Sequence, residues 1–135
     1  MTKIRPNLYL GSWQSVNAKD LEQNKITAIL CCDHNLVPDL HSIREKYKWI
    51  CVHLHDNELP NPSHVLEISA NILDQLLCNN ETVLVHCIAG SNRAPSVVCK
   101  YLTNEYGGGW DENWNQLRKL RAAVGKYSKV MQYLK

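Results

Sequence analysis

One stretch limits what this chain can fold into more than any other: Val83-Leu-Val-His-Cys-Ile-Ala-Gly-Ser-Asn-Arg-Ala-Pro-Ser-Val-Val98. Thr82–Val85 is apolar and β-branched, the pattern of a buried strand. The chain then passes His86 and Cys87, crosses a loop containing Gly90, and reaches Pro95, which predicts the first residue of a helix. Val97, Val98, Tyr101 and Leu102 recur at helical spacing after it. The order is strand, tight loop, helix, with a cysteine opening the loop and Arg93 closing it.

That order suits a tetrahedral oxyanion. A loop running onto a helix N-terminus turns backbone N–H groups inward, and the helix dipole adds partial positive charge. Gly90 supplies the backbone freedom such a cradle needs. Arg93 offers a planar fork for two phosphate oxygens. The same surroundings are expected to pull the Cys87 thiol from about 8.5 toward the acid side and make it a nucleophile. A cysteine closing a buried strand and an arginine opening a helix also arise from packing alone. Gly90, the preceding strand and Pro95 together favour phosphoryl transfer through a cysteinyl-phosphate.

Along the rest of the chain, Ile4 and Leu8–Leu10 read as short strands split by the turn at Pro6-Asn7. Val16–Asn24 reads as a helix capped by Ser15, Ile26–Cys31 as a strand, and Asp39–Tyr47 as a short helix. Trp49–Leu54 follows as a strand, 56–63 as a loop, and Pro62–Leu77 as a helix carrying Val65, Ile68, Ile72 and Leu76 on one side. After the helix opened by Pro95, Gly107-Gly-Gly109 breaks the chain, and Trp110–Arg121 and Ser128–Leu134 read as two further helices. Alternating strands and helices predict an α/β fold, a single domain over residues 1–135 with a mainly parallel central sheet flanked by helices. Catalytic loops then gather at the carboxyl ends of the strands.

His86-Cys87, five intervening residues and Arg93, preceded by Val-Leu-Val and followed by Pro-Ser-Val-Val, resemble the signature loop of the dual-specificity protein phosphatases, within the cysteine-based protein tyrosine phosphatases. Ile4–Ser12 is similar to that family's opening strands and Ile26–Leu30 to its next core strand. The resemblance implies Cys87 as nucleophile, Arg93 as phosphate ligand, and the backbone N–H groups of Ile88, Ala89, Gly90, Ser91, Asn92 and Arg93 as the phosphate cradle. It implies that His86 orients the loop and tunes the cysteine.

Protonating the leaving group needs a carboxylic acid on a nearby loop. Asp56 and Asp33 both follow strands; the family-like spacing from Asp56 to Cys87 favours Asp56, with Glu58 in reserve. One departure matters. The family usually carries Ser or Thr after the loop arginine, where this chain has Ala94, and that hydroxyl helps the cysteine leave during hydrolysis of the phospho-enzyme. A slow second step is therefore expected. Ser96, two residues on along a helix, points elsewhere.

The function implied is hydrolysis of phosphotyrosine in a phosphoprotein substrate, with phosphoserine and phosphothreonine open as further substrates. Ala94 keeps a phosphate-binding pseudophosphatase as an alternative. Asn92 before the arginine keeps an RNA 5′-phosphatase, against which the formal net charge of +2 argues. Phosphoinositide phosphatases of the superfamily carry loop lysines, and Ile88, Ala89, Ser91 and Asn92 are not basic.

Composition closes other routes. No apolar run approaches a membrane span, and the small net charge does not favour nucleic acid or an anionic membrane. His53, His55, Cys31, Cys32 and His34 lack the spacing of a zinc site, so neither metal nor cofactor is expected. The six cysteines, several inside apolar runs, read as reduced thiols, and Met1–Pro6 lacks a signal-peptide core. A cytoplasmic protein, with access to the nucleus open, is the expectation.

Overall fold

A computed structural model describes residues 1–32, 41–52, 54 and 62–126. Among the described residues five strands form one sheet: β1 (Thr2–Arg5), β2 (Leu8–Ser12), β3 (Ala28–Cys31), β4 (Lys48–Cys51) and β5 (Val83–Cys87), in the order β1-β2-β5-β3-β4. Only edge strand β1 runs antiparallel, joined to β2 through Asn7 at φ 69°. The three pairings among β2, β5, β3 and β4 are parallel. The mainly parallel α/β fold is therefore as expected. Strand β5 is central and buried at every residue, which is why its sequence is a continuous apolar run rather than an alternation.

Alternation still decides which side each residue serves. Val83 and Val85 join Leu8, Leu10, Ala28 and Leu30 on one face of the sheet. That face is covered by helices α3 (Pro62–Cys78), α4 (Arg93–Tyr106) and α5 (Trp110–Leu120), through side chains such as Leu66, Leu73, Val97, Val98, Trp114 and Leu117. Leu84 and Ile29 face the other way, onto Leu21 of α1 (Ala18–Gln23) and onto Ile43 of α2 (His41–Lys46).

Two helix starts differ from expectation. Helix α1 is capped by Asn17, whose side-chain oxygen accepts from the Asp20 N–H at 2.9 Å, while Ser15 belongs to a 3₁₀ turn over Trp13–Ser15. Helix α4 begins at Arg93, so Pro95 is its third residue. A proline is tolerated there because first-turn N–H groups have no partner within the helix. Strand β4 is also shorter than predicted, although pairing continues from the Val52 N–H to the Cys31 carbonyl at 2.8 Å. The helix expected over Ser128–Leu134 lies outside the described residues.

Candidate active site

Cys87 ends β5 at the carboxyl edge of the parallel strands, 2% exposed. It stands beside Ser12 of β2 across the ladder. On the other side the Cys32 N–H donates to the His86 carbonyl at 2.8 Å. His86 itself is fully buried, with its ring 5.8 Å from that of Trp49. The strand end that carries the cysteine is thus held from both sides.

Residues 88–92 form a tight loop that runs directly into α4. Gly90 takes φ 66°, and a Cβ there would lie 2.7 Å from the Gly11 carbonyl oxygen. Left-handed backbone and close approach both demand glycine. Because α4 begins at Arg93, its first turn is the direct continuation of the loop. Arg93 is half-buried at that first position.

The loop carbonyls face other partners. Ile88 accepts from the Trp13 N–H at 3.1 Å, Ser91 from the Gly125 N–H at 2.8 Å, and Asn92 from the Ser96 N–H at 2.9 Å. The Ser96 hydroxyl donates to the same Asn92 carbonyl at 2.7 Å. Gly90 accepts from Nε of Arg121 at 3.3 Å. In a trans peptide the carbonyl and the following N–H point in opposite directions. Each carbonyl so held fixes the opposite direction for the N–H that follows it, next to a cysteine and an arginine. Such an arrangement can hold a tetrahedral oxyanion against a nucleophilic sulfur.

Burial pushes the neighbouring Cys32 thiol well above its ordinary value, and charge on Cys87 adds to that rise. Cys32 therefore stays protonated at neutral pH. Ala94, fully buried, presents no hydroxyl at the second position of α4. Among the described residues no group of three or more His, Cys, Asp or Glu side chains is placed to hold a metal. No helix among them is long and apolar enough to cross a membrane. A cavity of about 210 Å³ lined by Arg5, Asn7, Cys78 and Tyr106 lies at the opposite end of the sheet, away from Cys87.

Asp56, Asp33 and Glu58 lie outside the described residues. Of the expected site, the structure brings together Cys87, the loop and Arg93. It adds Arg121 and two backbone donors, at Trp13 and Gly125, that no sequence signal distinguishes. Arg121 follows Arg118 and Lys119 at a helix C-terminus, where basic residues are ordinary complements of the dipole.

A family model described as "Dual specificity phosphatase, catalytic domain" matches residues 8–135. The chain is similar to dual specificity protein phosphatase 22 of Homo sapiens, 28% identical over 125 residues that cover 92% of this chain and 66% of that protein. It is also similar to dual specificity protein phosphatase 22-A of Danio rerio, 32% identical over 126 residues that cover 93% and 59%. The chain thus spans 59–66% of the length of these two relatives. Among solved structures, DUSP15 superposes with a TM-score of 0.81 at 26% identity, covering 99% of this chain and 84% of that one. Human tyrosine phosphatase-like serine/threonine/tyrosine-interacting protein shares the fold with a TM-score of 0.81 at 20% identity, covering 99% and 95%.

Proposed function

The chain belongs to the dual specificity phosphatase family, and on that premise we propose that residues 1–135 act as a single catalytic domain hydrolysing phosphoprotein monoesters. Phosphotyrosine is the primary substrate, with phosphoserine and phosphothreonine as further substrates. The observation that carries the reading is the loop's outward-tied carbonyls at Ile88, Gly90, Ser91 and Asn92, with Cys87 beneath and Arg93 at the helix start.

In the first step the Cys87 thiolate attacks phosphorus, the ester P–O bond breaks, and the Asp56 carboxylic acid protonates the departing oxygen. Arg93 and the loop N–H groups hold the three equatorial oxygens as charge builds on them. In the second step the Asp56 carboxylate takes a proton from water, which attacks phosphorus. The P–S bond breaks, and inorganic phosphate and the Cys87 thiolate are released. Ala94 offers that leaving sulfur no hydrogen bond, so the second step limits turnover.

The buried Ala94 methyl also favours one second reading, a phosphate-binding protein that turns over slowly or not at all. Steady-state hydrolysis of an aryl phosphate by the wild type, Cys87→Ser and Asp56→Ala separates the two. Turnover abolished in the first variant and lowered in the second is the result expected. A wild type that binds oxyanions without turning over supports the binding protein instead.

A further inference from the structure

Four carbonyls of the phosphate loop are tied outward, and the donors differ in kind. Trp13 and Gly125 contribute backbone N–H groups, and Ser96 lies on α4 itself. The Gly90 carbonyl is held by a side chain from 31 residues away in sequence, Nε of Arg121 at 3.3 Å. Peptide planarity makes this consequential. Wherever the Gly90 oxygen points, the Ser91 N–H points the opposite way.

Arg121 is well placed for such a task. It is the C-cap of α5, its own N–H bonded to the Leu117 carbonyl at 2.8 Å. The turn after it is pinned at both faces: the Trp114 indole N–H donates to the Gly125 carbonyl at 2.9 Å, and the Gly125 N–H donates to Ser91. A second guanidinium nitrogen, Nη1, reaches Thr2 Oγ1 on β1 at 3.3 Å. A Cβ on Gly90 would stand 2.7 Å from Nη2. The guanidinium therefore lies against the bare Cα of the loop glycine, a position only glycine leaves open. Arg118, one turn earlier, is exposed by contrast.

The electrostatics agree with this placement. Burial lowers the Arg121 guanidinium from its ordinary value, while charge on Cys87 works the other way. The group remains a cation at neutral pH because its ordinary value lies so far above it. Arg121 is close enough to the nucleophile for the two charges to interact, without belonging to the cysteine-to-arginine motif.

We infer that Arg121 is a positioning residue for phosphoryl transfer: its guanidinium holds the Gly90 carbonyl outward and so aims the Ser91 N–H at the substrate's phosphate oxygens. The inference rests on the phosphatase reading above. Its effect falls on the transition state, where oxyanion charge is greatest, more than on ground-state binding.

The test compares Arg121→Met, which keeps the apolar stem and removes every donor, with Arg121→Lys and with Arg118→Gln as a surface control. Three quantities are measured: kcat and KM on an aryl phosphate, the affinity for tungstate as a tetrahedral oxyanion, and Tm. Arg121→Met is expected to lower kcat/KM about tenfold or more, chiefly through kcat, and to weaken tungstate by a similar factor. Arg121→Lys recovers part of both, since an ammonium can still donate to one carbonyl. Arg118→Gln matches the wild type.

Arg121→Met with unchanged kcat/KM and tungstate affinity overturns the inference. So does a loss of activity that tracks Tm while the folded protein binds tungstate as tightly as wild type. If Arg121→Met does not fold, Thr2→Val, which removes only the Nη1 anchor, carries the same comparison with a smaller loss expected. A wild type that binds tungstate without turnover sinks the enzymatic reading alone, and the affinity comparison still decides Arg121. A wild type that does neither removes both.

Discussion

Gly90 sits so close to Gly11 that a Cβ on Gly90 would stand 2.7 Å from the Gly11 carbonyl oxygen. The contact joins the 88–92 loop to the end of β2, the strand that pairs with β5 beneath it. Gly90→Ala therefore meets a backbone atom that cannot give way and a φ of 66° that a side chain resists. We expect it to cost about 1–2 kcal/mol of stability from the dihedral alone. Loop displacement is expected to cost about a hundredfold in kcat/KM. Denaturant titration and steady-state kinetics on the same preparation check both.

Asn17 caps α1, accepting from the Asp20 N–H and donating to the Gln14 carbonyl. Asn17→Ala should lower stability by about 1 kcal/mol and leave kcat/KM unchanged. A urea midpoint that falls while activity of the folded protein holds is the expected pair of readings. It also calibrates stability loss against site damage.

The resemblance assigns the missing hydroxyl at Ala94 to the second chemical step. A hydrogen bond to a charged group is worth about 1.5–3 kcal/mol, so Ala94→Ser should speed phospho-enzyme hydrolysis roughly ten- to a hundredfold. Rapid-quench kinetics should show a burst in the wild type that shrinks in the variant as steady-state turnover rises. Ala94 is fully buried, and serine is the replacement that adds least volume.

Burial pushes the Cys99 thiol up from 9.0 to about 12. The unfolded chain then ionises this thiol before the folded one does. Its contribution to stability is complete below about pH 9 and is lost as pH climbs toward 12. Replacing Cys99 by alanine should flatten that part of the alkaline decline in urea midpoints. Cys32, also held high by burial, should resist iodoacetamide in the folded protein at neutral pH, which peptide mapping can follow.

Much of this was legible in the sequence, for physical reasons. A central strand buried on both faces writes itself as Val-Leu-Val, and a tight loop with a left-handed residue pressed against backbone needs the glycine found at position 90. Helix starts were less legible. Asn17 and Ser15 are both good caps, and the 3₁₀ turn that takes up Ser15 settles the matter only in three dimensions. Pro95 marked the helix without marking its first residue, since any first-turn position lacks an N–H partner. Arg121 was invisible because its role depends on a contact across 31 residues with a backbone carbonyl, and sequence records no carbonyl's direction. The same holds for the Trp13 and Gly125 donors.

Hydrolysis by the proposed route passes through a covalent intermediate at Cys87. The most direct measurement is acid quenching within the first turnover of an aryl phosphate, followed by peptide mass spectrometry of the protein. A phosphate found on Cys87, present in the wild type and absent from Cys87→Ser, is the predicted result. Continued turnover with no phosphorylated Cys87, or with the phosphate on another side chain, contradicts the account.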